Sequence, residues 1–551
     1  MKISDFEPKL ITVFKEGYSA RIFSQDLLAG IIVGIVALPL SIAFAIASGV
    51  QPLQGLVTAV VAGFLISAFS GSRVQIGGPT GAFIVIVYGI VQKYGYEGLV
   101  LATIMAGVLL IILGITRLGD MIKFIPYPVT VGFTGGIALI ILTTQIKDFL
   151  GLRMVNVPDH FIPKWLAYIH SFRTFNSSEF LLGILTVAII VLWPKVTRRI
   201  PGTLIAIIIT TIMVHVLNVP VATIGSRFGQ VPNIFPHPTI PLMHFDTLIK
   251  LSSPAITIAL LAGIESLLSA VVADGMTGRK HRSNMELIAQ GIANIVCPIF
   301  GGIPATGAIA RTATNIKNGG KTPVAGMIHA FVVLLLFLFF GKYASLIPMA
   351  TLAGVLMVVA YNMSGWQLFI KLLKTRRGDV VILLITFLLT VFVDLTVAIE
   401  VGMVLAAFLF MHRVVAVTEV DYITENFDED PHSIIRQEVP EGVEIFEING
   451  PFFFGAADKF RDMLREIQRK PKVLILGLRH VPTIDATGLM ALEDLLENAR
   501  KDKTKLLIYG ISTRLLNLLN SMEFIDKVGK ENIYPNIDQA LASARHFIVN
   551  K

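Results

Sequence analysis

The chain has 551 residues, of which 54% are apolar and only 15% charged, with a mean hydropathy of +0.73. This excludes an ordinary soluble enzyme, and the evenness of the apolar content excludes a soluble domain on a single anchor. The net charge of +8 does not mark a nucleic-acid binder, because Lys and Arg fall mostly in short loops between apolar runs, where the positive-inside rule accounts for them.

In chain order, residues 1–25 form a charged lead, and the first apolar run starts near Leu27 without a short h-region or a small-residue cleavage site. No cleaved signal is expected. From there to His412, ~20 residues per helix allots roughly fourteen spans, some of them short and broken. With the N-terminus in the cytoplasm, Arg73, Arg117, Lys123, Lys195, Arg198, Arg199, Arg279 to Arg282, Lys317, Lys321 and Lys371 to Arg377 all fall on the inner side. The outer loops, such as 218–250, carry little positive charge, and an even span count returns the C-terminus to the cytoplasm. The lone cysteine, Cys297, sits in an apolar run, which rules out an internal disulfide.

Two interruptions of the apolar pattern echo each other. GGPTGAFI at 77–84 resembles GGIPATGAI at 301–309; Pro39 precedes Pro79 by 40 residues, and Glu265 precedes Pro304 by 39. This is an internal repeat, about 26–217 and 253–412. Each copy holds about seven spans, an odd number, so the second enters the membrane from the opposite side, as in transporters. Proline without an N–H and glycine without a Cβ stop a helix from crossing the bilayer, leaving an extended stub and a half-helix. Such backbone is tolerated at membrane depth only where it is buried in protein or lines a wet cavity, so the stubs are expected to face each other at the midplane. Helix N-termini aimed at that point favour an anion, and Arg311 adds a full charge there. Taken singly, each motif could be a kink and Arg311 could snorkel; duplication in register argues for a paired site.

Glu265 is the second expensive residue, since a carboxylate in mid-span costs about 2.5–3.5 kcal/mol and normally faces a cavity, a partner or a proton path. Ser269 shares its helix face. A structural pair between Glu265 and Arg311 is the alternative. Asp394 and Glu400 in VDLTVAIEVG are assigned to a short turn between the last two spans.

After His412 the character changes. An acidic linker, 413–440, leads to residues 441–551, where VEIFEI, KVLILGL and KLLIYG read as strands, each followed by a helical pattern at Ala456–Gln468, Thr487–Arg500 and Thr513–Met522. A small α/β domain is expected.

Five segments carry a family resemblance: DLLAGIIVGIVALPLSIAFAIASGV at 26–50, SRVQIGGPTGAF at 72–83, IESLLSAVVADGMTGRKHRSN at 264–284, GGIPATGAIARTATNIKNGGKTP at 301–323 and TIDATGL at 483–489. Together they resemble the SulP anion transporters, or solute carrier family 26, with a C-terminal STAS domain. The resemblance implies a polytopic α-helical membrane protein of 7+7 inverted-repeat architecture, 14 spans in all. Spans 1–4 and 8–11 would form the core, spans 5–7 and 12–14 the gate, in a homodimer working by elevator-like displacement. It places the anion between the N-termini of spans 3 and 10, at Thr80, Gly81, Ala82, Ala308, Ile309 and Ala310, with Arg311 close by and Phe44 contributing from span 1.

Some positions depart from the family pattern. Leu40 follows the span-1 proline where many members carry glutamine, and the overall look is nearest the bacterial branch that includes a C4-dicarboxylate transporter. In the bicarbonate branch an aspartate and a threonine at the Glu265 and Ser269 positions take part in sodium binding; Glu265 with Ser269 fits proton coupling better. In the STAS loop, Asp485 is followed by Ala486 rather than the phosphorylated serine of soluble regulators, leaving only Thr487 with a hydroxyl. A role in dimer stability or protein docking is the simpler expectation.

The sequence therefore predicts a multi-pass cytoplasmic-membrane secondary anion transporter, a proton-coupled symporter of sulfate or a related small dianion, not an enzyme, needing no cofactor or metal beyond a coupling proton. Its partners would be a small inorganic or dicarboxylate anion, membrane lipid and a second copy of the chain. Sulfate, bicarbonate and succinate or fumarate stay open as substrates. So do an uncoupled exchanger or channel, a nucleobase symporter and a membrane sensor.

Overall fold

The computed structural model describes residues 3–120, 126–154, 157, 158, 160–197, 201–230, 232, 234–239, 245–393, 395–417, 419–422, 439–466 and 470–549. Lys123, Arg198, Arg199, Asp394 and most of the acidic linker lie outside them. The chain divides into two compact units, Met1–Val404 and Leu405–Lys551.

The first unit is helical. Nine stretches among the described residues are long and apolar enough to cross a membrane. One of these, Gly81–Ile115, is two elements, because Gly95 takes φ 71° and breaks the helix Ile84–Ile115 into α3 (84–94) and α4 (96–115). Around it run α1 (Ala20–Ala47), α2 (Pro52–Phe69), α5 (Tyr127–Phe149), α6 (Ser177–Val196) and α7 (Gly202–Val216). The second half contains α8 (Phe245–Thr277), α9 (Ser283–Ile299), α10 (Ile309–Lys317), α11 (Pro323–Ala344), α12 (Met349–Ser364), α13 (Arg377–Phe392) and α14 (Leu395–Val417). Helix α1 begins before the apolar run at Leu27, with Ser19 capping it through Ile22 N–H. Glu400, assigned above to a turn, lies within α14 and is exposed.

The two halves interlock. Helix α11 lies on α1 and α2, and its counterpart α4 lies on α8 and α9, as a two-fold exchange requires. These contacts use small residues, which let backbones approach where lipid offers no hydrophobic drive. A Cβ on Gly107 of α4 would stand 2.7 Å from the Gly291 carbonyl of α9, and one on Gly291 would stand 2.6 Å from the Gly107 carbonyl. Helix α5 packs separately on α12 and α13, and α6 on α7 and α12. A core of α1–α4 with α8–α11 and a gate of α5–α7 with α12–α14 are therefore distinct.

The stub before α3 and the stub before α10 pair as a two-residue antiparallel ladder. β1 (Gly77–Gly78) meets β2 (Thr306–Gly307), with Gly77 opposite Gly307. Both strands lie inside the repeated motifs, and the structure supplies the register that the sequence left open. Gly301 and Gly302 do not form the second stub: they close α9, Gly302 N–H returning to the Cys297 carbonyl at 3.0 Å. Close pairing needs a bare backbone, and a Cβ on Gly307 would lie 1.9 Å from Gln75 Nε2.

In the second unit, β3 (Glu419–Tyr422), β4 (Val443–Asn449), β5 (Val473–His480), β6 (Lys505–Tyr509) and β7 (Ile533–Tyr534) form one sheet in that order, parallel except for β3. Strand β3 comes from the stretch assigned to the linker. Alternation along the strands feeds two cores. Leu474, Leu476 and Ile508 pack under α15 (Phe454–Glu466), α16 (Ala486–Lys501) and α17 (Thr513–Ser521), while Ile475 and Leu507 pack against α18 (Ile537–Val549) on the other face.

Candidate functional site

The β1–β2 pair brings the N-terminal ends of the two half-helices together. After Thr80, Gly81–Phe83 makes a 3-10 turn that leads into α3; after Ala308, α10 begins directly. Helix N-termini leave their first N–H groups unused, and the dipole ends are positive, so a small anion between them is stabilised without any side chain.

Arg311 supplies the fixed charge in the first turn of α10. It is buried, at 3% exposure. Its Nη2 donates to the Pro79 carbonyl at 3.0 Å and to Ser41 Oγ of α1 at 3.4 Å, while Nη1 has no hydrogen-bond partner among the described residues. Gly78 admits this arginine: its φ is 147°, and a Cβ there would meet Nη1 at 2.6 Å. A guanidinium with one arm fixed and one unsatisfied is held in place for an acceptor to arrive.

Glu265 of α8 does not pair with Arg311. Thr80 Oγ1 donates to Glu265 Oε2 at 3.2 Å, and the carboxyl is only partly buried, in a small cleft with Thr130, Phe133 and Thr134 of α5 and Ile399 of α14. The acidic group thus faces the seam between core and gate. Ser269 points instead to α10, donating to Thr312 Oγ1 at 3.3 Å; that hydroxyl in turn accepts from Ile76 N–H at 3.0 Å.

Of the other residues expected at the site, Gly81, Ala82 and Ala308 are buried, while Ile309 and Ala310 are exposed on the first turn of α10. Phe44 stands beside the start of α3: a Cβ on Gly81 would lie 3.6 Å from its ring, 3.7 Å from Ile141 and 2.9 Å from Met363 Sδ. These apolar groups cover the α3 terminus. Leu40 packs into the apolar core. Asp485, Ala486 and Thr487 belong to the second unit, where Asp485 caps α16, accepting from Gly488 N–H at 2.7 Å and Phe454 N–H at 3.1 Å. Its carboxylate is committed to the fold.

Several supporting residues escape sequence reading. Asn294 of α9 clamps Ala305, accepting from its N–H at 2.9 Å and donating to its carbonyl at 2.9 Å. Thr58 Oγ1 accepts from Ile303 N–H at 2.8 Å. Glu286, fully buried, gathers Ser70 Oγ, the N–H groups of Gly71 and Ser72, Gln75 Nε2 and Gln290 Nε2 at 2.5–3.3 Å, fixing the approach to β1. Asp26 of α1 accepts from the N–H groups of Lys321 and Thr322 and from the Thr322 hydroxyl, anchoring the turn after α10. Only the polar residues inside apolar runs signal these clamps; nothing local tells which backbone they serve.

Two interlocked halves whose half-helices meet at a short β-pair define an inverted-repeat membrane transporter. The chain belongs to the sulfate permease family, whose model matches residues 23–386, and a STAS domain matches 435–540. It is 44% identical over 527 residues to the putative sulfate transporter YvdB of Bacillus subtilis, covering 95% of this chain and 98% of the relative. It is 30% identical over 545 residues to the bicarbonate transporter BicA of Picosynechococcus, covering 94% of each. Among solved structures, the transmembrane domain of a cyanobacterial BicA matches with a TM-score of 0.62 at 30% identity, over 71% of this chain and 98% of that one. Murine Slc26a9, an anion transporter in the inward-facing state, shares the fold with a TM-score of 0.88 at 18% identity, covering 99% and 95%.

Proposed function

We propose that this protein is a secondary transporter of small oxyanions, sulfate foremost, that couples uptake to protons through Glu265. The observation that carries the reading is the meeting of two half-helix N-termini across β1 and β2, with the unsatisfied arm of Arg311 beside them. The names of the relatives support sulfate first and bicarbonate second. The placement of the basic loops supports a cytoplasmic-membrane protein with Arg73, Arg279 and Lys321 on the inner side. A dimer moving its core against its gate, with the STAS domain stabilising the pair or docking a cytoplasmic protein, fits the division of the helices and the capped, non-serine loop at Asp485.

Coupling follows from charge. A dianion seated at Arg311 adds negative charge beside Glu265, so protonating the carboxyl becomes favourable as the anion binds, and the two events are linked. The test is uptake into proteoliposomes under an imposed pH gradient, with a panel of competing anions, beside counterflow at equal pH. Wild type is expected to accumulate sulfate only with the gradient, competed by its substrates alone. Glu265→Gln is expected to retain counterflow and lose gradient-driven accumulation. A glutamine variant that still concentrates anion in response to pH removes Glu265 from the coupling role and leaves an exchanger or channel.

A further inference from the structure

Beyond the transport site, the loops on the Arg73 side of the first unit enclose a second cationic place. A cavity of about 310 Å³ is lined by Arg73, Arg279, Lys280 and Lys321, with Ser72 and Thr277. Among the described lining residues the carboxylate is Asp274, which is engaged by His281, accepting from the backbone N–H at 3.0 Å and lying 2.7 Å from Nδ1. Arg73 is paired with Glu16. Among the described residues no ion pair involves Arg279, Lys280 or Lys321. The excess positive charge reaches Lys9 next door: burial first, then the Arg282 and Arg73 charges, hold its ammonium below the usual lysine range.

A short amphipathic helix, Lys9–Glu16, is tied to this cavity's wall through the Arg73–Glu16 ion pair. It is fastened by the same loops: Lys9 N–H donates to the Ser70 carbonyl at 2.9 Å, and Arg282 Nη1 donates to the Glu7 carbonyl at 2.5 Å and to Thr12 Oγ1 at 2.9 Å. Val13 is buried beneath it, while Ile11 and Phe14 stand 44% and 57% exposed. The foot of α1 beside it exposes Phe23 and Leu28. Polar loops with apolar side chains projecting beside a row of cations are what an anionic bilayer surface selects: the apolar groups enter the acyl boundary and the cations meet headgroup phosphates.

We propose that this cavity binds the phosphate of an anionic phospholipid, with Ile11 and Phe14 holding the helix Lys9–Glu16 in the same leaflet, so that one lipid ties the N-terminal helix to the end of the α10 half-helix. The shared chemistry is a phosphate ester, a diester in the lipid and a monoester in a soluble phosphate. The lipid is favoured over a soluble phosphate because the apolar pair serves no purpose for a dissolved ion. The assignment rests on the orientation proposed above, and not on which anion the protein carries.

The test uses the full chain, purified in a neutral detergent and titrated with dioctanoyl-phosphatidylglycerol, dioctanoyl-phosphatidylcholine or glycerol 1-phosphate, following the thermal unfolding midpoint. Phosphatidylglycerol is expected to stabilise saturably and phosphatidylcholine not at all. Each basic residue near an anionic surface contributes about fivefold in affinity, so the R279Q/K280Q/K321Q variant is expected to raise half-saturation by about a hundredfold. The charge-keeping R279K/K280R/K321R variant is expected to restore it, which separates charge from misfolding. Phe14→Ser is expected to weaken the lipid while leaving glycerol 1-phosphate unchanged. Half-saturation by glycerol 1-phosphate equal to that of the lipid would make this a soluble-anion pocket. A lipid response unchanged by the triple glutamine variant would show annular lipid only. Either result overturns the proposal, and neither bears on transport, which the proteoliposome assay reads separately.

Discussion

The half-helices α3 and α10 occupy equivalent places in the two repeats, yet their chemistry differs. Helix α3 brings no charge: it starts from Pro79 and Thr80 through a buried 3-10 turn and ends in neutral backbone. Helix α10 starts directly after β2 and buries Arg311, Thr312 and Asn315 on one face. Each is completed by residues from elsewhere. Arg311 crosses to the Pro79 carbonyl, and Glu265 meets Thr80, the next residue. The fixed cation and the protonatable group therefore converge on two consecutive residues of a single stub. In the proposed function, backbone symmetry would make the anion seat and side-chain asymmetry would give it a direction of coupling.

The largest effect expected from breaking this asymmetry is Arg311→Ala. Removing one partner of a buried charged contact costs about 2–5 kcal/mol, so the dissociation constant for radiolabelled sulfate on purified protein is expected to rise about a hundredfold or more. Arg311→Lys is expected to recover only part, because a point charge cannot hold Pro79 and offer a second arm at once. Unchanged affinity in a folded Arg311→Ala protein would make the arginine a brace for the stub and nothing more.

The register of the two stubs is probed by a pair of alanines. Gly307→Ala drives a methyl into Gln75, which itself holds Glu286, and is expected to cost about 1–3 kcal/mol in thermal or denaturant unfolding. Gly301→Ala has open space around it and pays only for its φ of 83°, about 1–2 kcal/mol. If Gly301→Ala abolished binding while Gly307→Ala did not, the Gly77–Gly307 pairing would not be what holds the site together.

Smaller effects sharpen the division of labour. Thr80→Val deletes the hydroxyl that reaches Glu265, a loss of about 1 kcal/mol. It is expected to reduce gradient-driven uptake several-fold more than equal-pH counterflow; equal reductions in both would detach Thr80 from coupling. Asp485→Ala removes the cap of α16 and is expected to cost the second unit about 1 kcal/mol in stability without altering the order in which anions compete for uptake. A changed order would place part of substrate selection outside the first unit.

Much of this architecture was legible. Hydropathy marks the membrane unit, the change after His412 marks the second domain, and the strand-like apolar runs VEIFEI, KVLILGL and KLLIYG give β4, β5 and β6 within two residues of their ends. Arg311 and Glu265 stood out because charge inside apolar sequence is costly. The clamps did not stand out in the same way. Glu286, Asn294 and Thr58 are single polar residues whose meaning lies in a partner 11 to 245 positions away. The pairing partner of Gly77 did not stand out either: GGPTGAFI and GGIPATGAI match in letters, while pairing is decided by which backbone lies within hydrogen-bonding reach.

What the sequence determined by itself is the solvent each segment prefers, the places where helices must break, and the price of burying Arg311 and Glu265. Those are local properties, set by hydration, by missing N–H groups and by charge. Only the tertiary structure decided that Gly77 faces Gly307, that Arg311 reaches Pro79 rather than Glu265, and that Glu265 opens toward α5. Those choices arise from two repeats packing at glycine-close range, where a single Cβ decides which backbone atoms can meet.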